Sequence, residues 1–309
     1  MKVAIVGLGS IASKHIFALK EINPLVEIYA LRSGLNSNVV EGVKNIKSLE
    51  EVEDLDFVLI SNPTSLHLEA IKMVTKQNLP MVIEKPAFYK LEGYEEVIDE
   101  INAKDIFTYV ACNLRFHPCL QYLKDYIANE NAVINEVNVY CGSYLPDWRP
   151  NRDYKQIYSA NLDMGGGVHL DLFHELDYIC WIFGLPREYK GYTSNHSSLD
   201  ISAPDYANYL LSYDNFNVGV VLNYYRRQPK REIEILFEDE TWIVDLITNI
   251  ITTDNGKVIF KPSSFSLIDT YVKQMSYVIG KLNLSERPMN DINETIEILK
   301  ISLSHESIN

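Results

Sequence analysis

The run Gly7-Leu8-Gly9-Ser10-Ile11-Ala12 follows an apolar stretch, Val3-Ala4-Ile5-Val6, and leads into residues with helical period. Glycines at this spacing let the chain turn sharply at Gly7 and let another group approach the backbone at Gly9. The small Ala12 lets helix and strand pack closely. Ser10 and Ile11 open a helix whose unpaired N–H groups attract a pyrophosphate, so the chemistry indicated is dinucleotide binding, against the plainer reading of a tight turn without a ligand. About twenty residues further on, where such a domain usually places an acid on the ribose diol, this chain has Leu31-Arg32-Ser33-Gly34. A guanidinium matches a 2′-phosphate, so Arg32 with Ser33 favours NADP over NAD; an arginine solvated at the sheet edge is the other reading. Ser61-Asn62-Pro63-Thr64-Ser65-Leu66-His67 and Glu84-Lys85-Pro86 each end an apolar run. At the carboxyl edge of an open sheet, Asn62, Pro63, Thr64, His67, Glu84 and Lys85 would surround the nicotinamide ribose. His15 and His67 stand beside these motifs, where an imidazole touches the cofactor or simply packs a helix end, and neither is counted as catalytic.

These residues need a scaffold, and the pattern supplies one. From Lys2 to about Asn113, Val3–Val6, Glu27–Leu31, Phe57–Ile60, Met81–Ile83 and Thr108–Ala111 read as strands. Leu66–Lys76 and Leu91–Asn102 read as helical crossovers. The strand runs are apolar throughout, as expected where helices cover both faces of a parallel sheet. After a helix starting near Pro118 the pattern becomes longer strands with two-residue alternation, such as Glu232 and Glu234 against Ile233 and Ile235. That alternation predicts a large, mostly antiparallel sheet with one face covered by a helix over Val168–Phe183. Leu267–Lys281 and Asp291–Ser302 are expected as further helices. The fold class is therefore α/β: a Rossmann parallel sheet over residues 1–118, then an α/β domain with an open sheet over residues 119–309.

Together with Asn113-Leu114-Arg115-Phe116-His117-Pro118, the Glu84-Lys85-Pro86 tripeptide makes the chain resemble the glucose-fructose oxidoreductase and inositol dehydrogenase family (Gfo/Idh/MocA) over nearly its whole length. The run Gly165-Gly166-Gly167-Val168-His169-Leu170-Asp171-Leu172-Phe173-His174-Glu175-Leu176-Asp177 is similar to that family's glycine-rich entry into a helix bearing Asp, His and Asp. Family members often place the first Asp four residues before the His, whereas Asp171 stands three before His174; residues three apart still share a helix face. The resemblance implies a dehydrogenase acting on a secondary alcohol or ketone. Such chemistry needs a group that takes or gives the hydroxyl proton, and histidine suits both directions. His174 is accordingly expected as the acid/base, Lys85 as the donor that orients the substrate oxygen, and Asp171 as the residue positioning substrate or His174. In some relatives Lys and His share the proton work, so the two roles can exchange. His169 is expected to line the pocket or to be structural.

Asp147-Trp148-Arg149-Pro150-Asn151-Arg152-Asp153-Tyr154, continuing to Tyr158, is a polar and aromatic loop. Its rings can stack on a sugar or base and its arginines can hold an anion, against the alternative of a salt-bridged surface loop. Arg115, Trp148, Arg149, Arg152 and Tyr154 join Lys85, Asp171 and His174 as expected substrate contacts. The loop and helix together are similar to family members of bacterial surface-sugar pathways, which implies a nucleotide sugar or sugar acid rather than a neutral polyol. A formal charge of −14 over 309 residues repels phosphate backbones and anionic membranes, so neither nucleic acid nor membrane is an expected partner. The four cysteines show no metal-ligand spacing, so no metal site is expected and a reducing cytoplasm fits. The apolar run at the N-terminus is too short for a signal segment, and no stretch reaches membrane-spanning length. A broad sheet face calls for cover by self-association, so a dimer or tetramer is expected. Two other functions compete: a tightly bound dinucleotide serving a redox-neutral elimination or glycoside cleavage, and a non-catalytic dinucleotide-binding regulator.

Overall fold

The computed structural model describes residues 1–32, 40–130 and 132–306. They form two compact units, Met1–Asn113 with Ser266–Ile296, and Leu114–Phe265 with Glu297–Asn309. The first begins with β1 (Lys2–Val6), α1 (Ser10–Ile22), β2 (Glu27–Leu31), β3 (Val43–Ile46) and β4 (Phe57–Ile60). It continues through α2 (His67–Lys76), β5 (Met81–Glu84), α3 (Glu95–Ala103) and β6 (Thr108–Ala111). All six strands are parallel in the order β3-β2-β1-β4-β5-β6. Every residue of β4, β5 and β6 is buried, which is why these runs carry no alternation. The edge strand β3 is absent from the sequence reading because Lys44 and Asn45 in its middle are exposed and leave no apolar run. The helix expected from Leu91 starts later, at Glu95, after Gly93 turns the chain with a φ of 74°.

The second unit contains α4 (Pro118–Asn129), β7 (Ile134–Tyr144), α5 (Val168–Asp171), α6 (His174–Phe183), β8 (Glu188–Ser194) and β9 (Tyr206–Ser212). There follow β10 (Asn217–Asn223), β11 (Tyr225–Phe237), β12 (Thr241–Asp245), β13 (Ile250–Thr253) and β14 (Val258–Phe260). The chain then gives α7 (Leu267–Leu284) to the first unit, while α8 (Ile292–Ser302) is divided between the two and β15 (His305–Glu306) joins the second. The nine strands run β14-β13-β12-β11-β7-β10-β9-β8-β15. Only β7 with β10 and β8 with β15 are parallel pairs.

Alternation sets the two faces of this sheet. Val137, Val139, Val218, Val220, Tyr209, Ile233 and Ile235 are buried on one side. Glu136, Glu234 and Leu210, which alternate with them, are exposed. The buried face lies under the helices, α5 touching β9 and β10 and α6 packing on α4.

Two expectations are corrected here. The single helix over Val168–Phe183 is broken into α5 and α6, because Leu172 leaves helical geometry (ψ 34°) directly after Asp171. The boundary at residue 118 does not leave everything after it to the second unit. Tyr271, Met275 and Val278 of α7 complete the apolar cluster formed by Ala12, Ile16 and Leu19 of α1 with the strands of the first unit. All four cysteines are buried. No helix among the described residues is long and apolar enough to cross a membrane.

Candidate functional site

In the first unit the loops after β1, β4 and β5 leave the same edge of the sheet, and the order of connections reverses between β1 and β4, where open α/β sheets bind ligands. Gly7 turns with a φ of 93°, and a Cβ there would collide with the backbone of Asn62. Ser61 Oγ donates to the Gly7 carbonyl at 2.7 Å, which locks the two loops together. A Cβ on Gly9 would meet nothing within 4 Å, so the backbone is open to approach there. Gly9 is the N-cap of α1, which has no side-chain cap and no acid in its first turn, leaving its N–H groups for an anion. Asn62 Nδ2 donates to Leu66 O at 3.1 Å while its buried Oδ1 has no hydrogen-bond partner among the described residues. These features fit a dinucleotide: the end of α1 with Gly9 for the pyrophosphate, and the Asn62-Pro63-Thr64 turn for a polar group further along. Arg32 follows β2, half-buried, and its amide donates to Ile46 O at 3.0 Å. Ser33 lies outside the described residues.

Lys85 directly follows β5 and is half-buried. Its amide donates to Glu84 Oε2 at 3.1 Å, and Glu84 Oε1 lies 2.6 Å from Nε2 of His15, which is wholly buried. His67, expected at the cofactor, is 1% exposed. Its Nε2 is 2.9 Å from Asn62 O, and its Nδ1 is 3.1 and 3.2 Å from the carbonyls of Pro86 and Ala87. Its ring lies against main chain on both sides and so joins the loops after β4 and β5. Burial pushes this imidazole below the ordinary histidine range, against the carbonyls and the Glu84 charge, which favour the proton.

In the second unit, Asp171 ends α5 and His174 begins α6, both half-buried. Asp171 Oδ1 accepts the Tyr158 hydroxyl at 2.5 Å and Oδ2 accepts that of Tyr224 at 2.5 Å. Burial, then the Asp171 charge, holds both phenols above their usual range, so they stay protonated donors. The triple glycine matters here because a Cβ on Gly166 would strike the Tyr158 carbonyl. Tyr158 and Tyr224 escaped the sequence reading as partners of Asp171: Tyr158 closes the loop already singled out, while Tyr224 sits between two strands with no motif around it. Trp148 is 37% exposed, donates to Ser143 Oγ at 2.8 Å and stands edge-on to Tyr224 at 5.3 Å. Tyr154 donates to Leu199 O at 3.1 Å. Arg149 and Arg152 are exposed and form no ion pair among the described residues.

Arg115, expected as a substrate contact, is fully buried and bound to Asp177, Nη2 to Oδ1 at 2.8 Å and Nε to Oδ2 at 3.0 Å. Glu175, also fully buried, accepts from Arg231 Nε at 2.6 Å. Of His174, Glu175 and Asp177 on α6, only His174 is not buried.

Residues 1–111 match the family model described as "Oxidoreductase family, NAD-binding Rossmann fold". The myo-inositol 2-dehydrogenase of Thermotoga maritima is 27% identical over 194 residues, 60% of this chain and 55% of that protein. The rhizopine catabolism protein MocA of Rhizobium meliloti is 25% identical over 202 residues, 62% of this chain and 61% of that protein. The matches thus span little more than half the length of these relatives. The WlbA dehydrogenase of Bordetella pertussis, solved with NADH and UDP-GlcNAcA, superposes with a TM-score of 0.80 over 98% of this chain and 94% of that one. At 18% identity that likeness shows the fold alone.

Proposed function

We propose that this chain is a Gfo/Idh/MocA oxidoreductase, a dehydrogenase using NAD(P) on a CH–OH group of a sugar, sugar acid or nucleotide sugar. The observation that carries this reading is the first-unit edge itself: Gly7 locked on Asn62, Gly9 open at the uncapped end of α1, and Lys85 on the neighbouring strand end. The sugar class draws support from the names of the relatives, a myo-inositol dehydrogenase and a dehydrogenase solved with a nucleotide sugar.

When bound, the nicotinamide supplies a place for the hydride to go or come from. The chain does the rest. His174 takes the hydroxyl proton on oxidation and returns it on reduction. Lys85 donates a charge-assisted hydrogen bond to a substrate oxygen and fixes its orientation. Asp171 acts indirectly: with a phenol on each oxygen it holds Tyr158, and with it the loop of Trp148, Arg149 and Arg152, against α5. The unpaired arginines suit an anionic substrate. Arg32 with Ser33 favours NADP over NAD.

The test is a fluorescence titration with NADH and NADPH followed by a screen of sugar nucleotides and sugar acids, reading absorbance of the reduced nicotinamide. His174→Ala should lower turnover about a hundredfold or more and leave dinucleotide affinity near native. A variant retaining most of its turnover would remove His174 from the mechanism, and bound cofactor without net absorbance change would point to redox-neutral chemistry.

A further inference from the structure

We infer that His15 and His67 are positioning residues for Lys85, gripping the chain immediately before and after it and tying it to the two loops that flank the dinucleotide. This rests on the reading above that Lys85 works at the reacting centre. The contacts bracket the lysine in sequence. On one side, His15 Nε2 meets Glu84 Oε1 at 2.6 Å, and the other oxygen of that carboxylate accepts the Lys85 amide at 3.1 Å. On the other side, His67 Nδ1 faces the carbonyls of Pro86 and Ala87 at 3.1 and 3.2 Å.

Each histidine also belongs to an element that would touch the cofactor. His15 lies on α1, whose first turn is the open anion site, and its ring stands edge-on to Tyr271 at 5.5 Å. His67 Nε2 reaches Asn62 O at 2.9 Å, and Asn62 is the residue pressed on Gly7. A continuous path of contacts therefore runs from the Gly7 turn through Asn62 and His67 to the residues after Lys85.

Packing alone does not account for this. Both rings are buried to 1% or less, and an apolar side chain would fill such sites without the cost of burying polar atoms. Imidazole is the side chain that puts a polar atom on each of two opposite edges of a rigid plate. With carbonyls at both edges of His67, both nitrogens donate only when the ring is protonated and one at a time when it is neutral, and replacing one edge at a time separates its two duties. An asparagine amide stands near the Nδ1 position and can serve Pro86 and Ala87. A glutamine amide reaches towards the Nε2 position and can serve Asn62.

The experiment reads Lys85 directly and needs no substrate. Lysines are reductively methylated with 13C-formaldehyde, the Lys85 resonance is assigned by its loss in K85R, and its titration is followed by NMR in the wild type, H67N, H67Q and H15N, the last of which cannot reach Glu84 from the Nδ1 position. The dinucleotide titration and circular dichroism report binding and fold. The H67N titration should stay near that of the wild type, while H67Q and H15N displace it by about half a pH unit or more. Their turnover should fall about tenfold or more with NAD(P)H affinity within about threefold, the signature of a misplaced group instead of a lost site. An unmoved Lys85 resonance in folded H67Q and H15N overturns the inference, as does a displacement equal in H67N and H67Q. Should the His67 variants not fold, H15N and the milder E84Q decide it by the same resonance. Full turnover in K85R and K85A would sink the assignment of Lys85 to chemistry, and the resonance result would still separately decide whether the histidines position it.

Discussion

At Arg115 the sequence suggested a ligand contact, and the structure makes the residue half of a buried ion pair with Asp177. Truncation would strand a carboxylate in a dry interior, so Arg115→Ala should cost about 3–5 kcal/mol, read as a lower denaturant midpoint. A midpoint close to native would show that water reaches Asp177. Nothing local announces such a pair, since its partners are 62 residues apart and each sits in a motif that resembles a site. The glycines were legible for the opposite reason: Gly7 and Gly166 answer a purely steric demand of the neighbouring backbone, and that demand excludes every other residue type. Arg32 falls between these cases, placed by its count from Gly9 but with Ser33 beyond the described residues. Arg32→Ala should weaken NADPH at least tenfold more than NADH, because only NADPH carries the 2′-phosphate. Equal losses in the two titrations would return Arg32 to the role of a solvated edge residue.

Among the elements, the loop from Leu145 to Met164 is built from four short 3-10 turns with no long regular element to stiffen it. Its attachments are side-chain bonds: Tyr154 to Leu199 O, Lys155 to Asp200 at 2.7 Å, Tyr158 to Asp171 and Trp148 to Ser143. Arg149 and Arg152 take no part in this anchoring, so changing both to Gln should raise KM for an anionic substrate about tenfold or more without altering cofactor affinity. An unchanged KM would leave the loop without a part in substrate binding. The periodic pattern located most helices because their buried faces repeat. It ran through the α5–α6 break because Leu172 and Phe173, which interrupt the helix, are themselves buried and continue the apolar period. Backbone direction there is set by where Asp171 finds its phenols, from residues 13 earlier and 53 later, which no window of sequence records.

On the scale of the whole molecule, the two-sheet α/β class was readable because runs buried on both faces and runs buried on one face look different in sequence. The division of the chain was not, because α7 carries an ordinary amphipathic stripe that does not say which sheet it covers. On the second sheet the face opposite the buried one carries Leu210, 55% exposed, among polar neighbours such as Glu136, Asn138 and Glu234. We expect this face to pair with a second copy: light scattering should give a dimer or tetramer, and Leu210→Glu should shift it towards the monomer. A monomer at micromolar concentration in the native chain would leave that face to solvent.

The return of α7 to the first unit bears on how the protein is made. Translation delivers β1 to β6 first, while Met275 and Val278, which seal the cluster around Ala12, Ile16 and Leu19, follow much later in the sequence. Once β6 is made, α1 therefore carries an apolar surface that nothing yet covers, and it stays so while more than 150 further residues are added. At roughly 5–20 residues per second that interval lasts on the order of ten seconds or more, long enough for a chaperone to find the exposed stripe before the protein's own helix does.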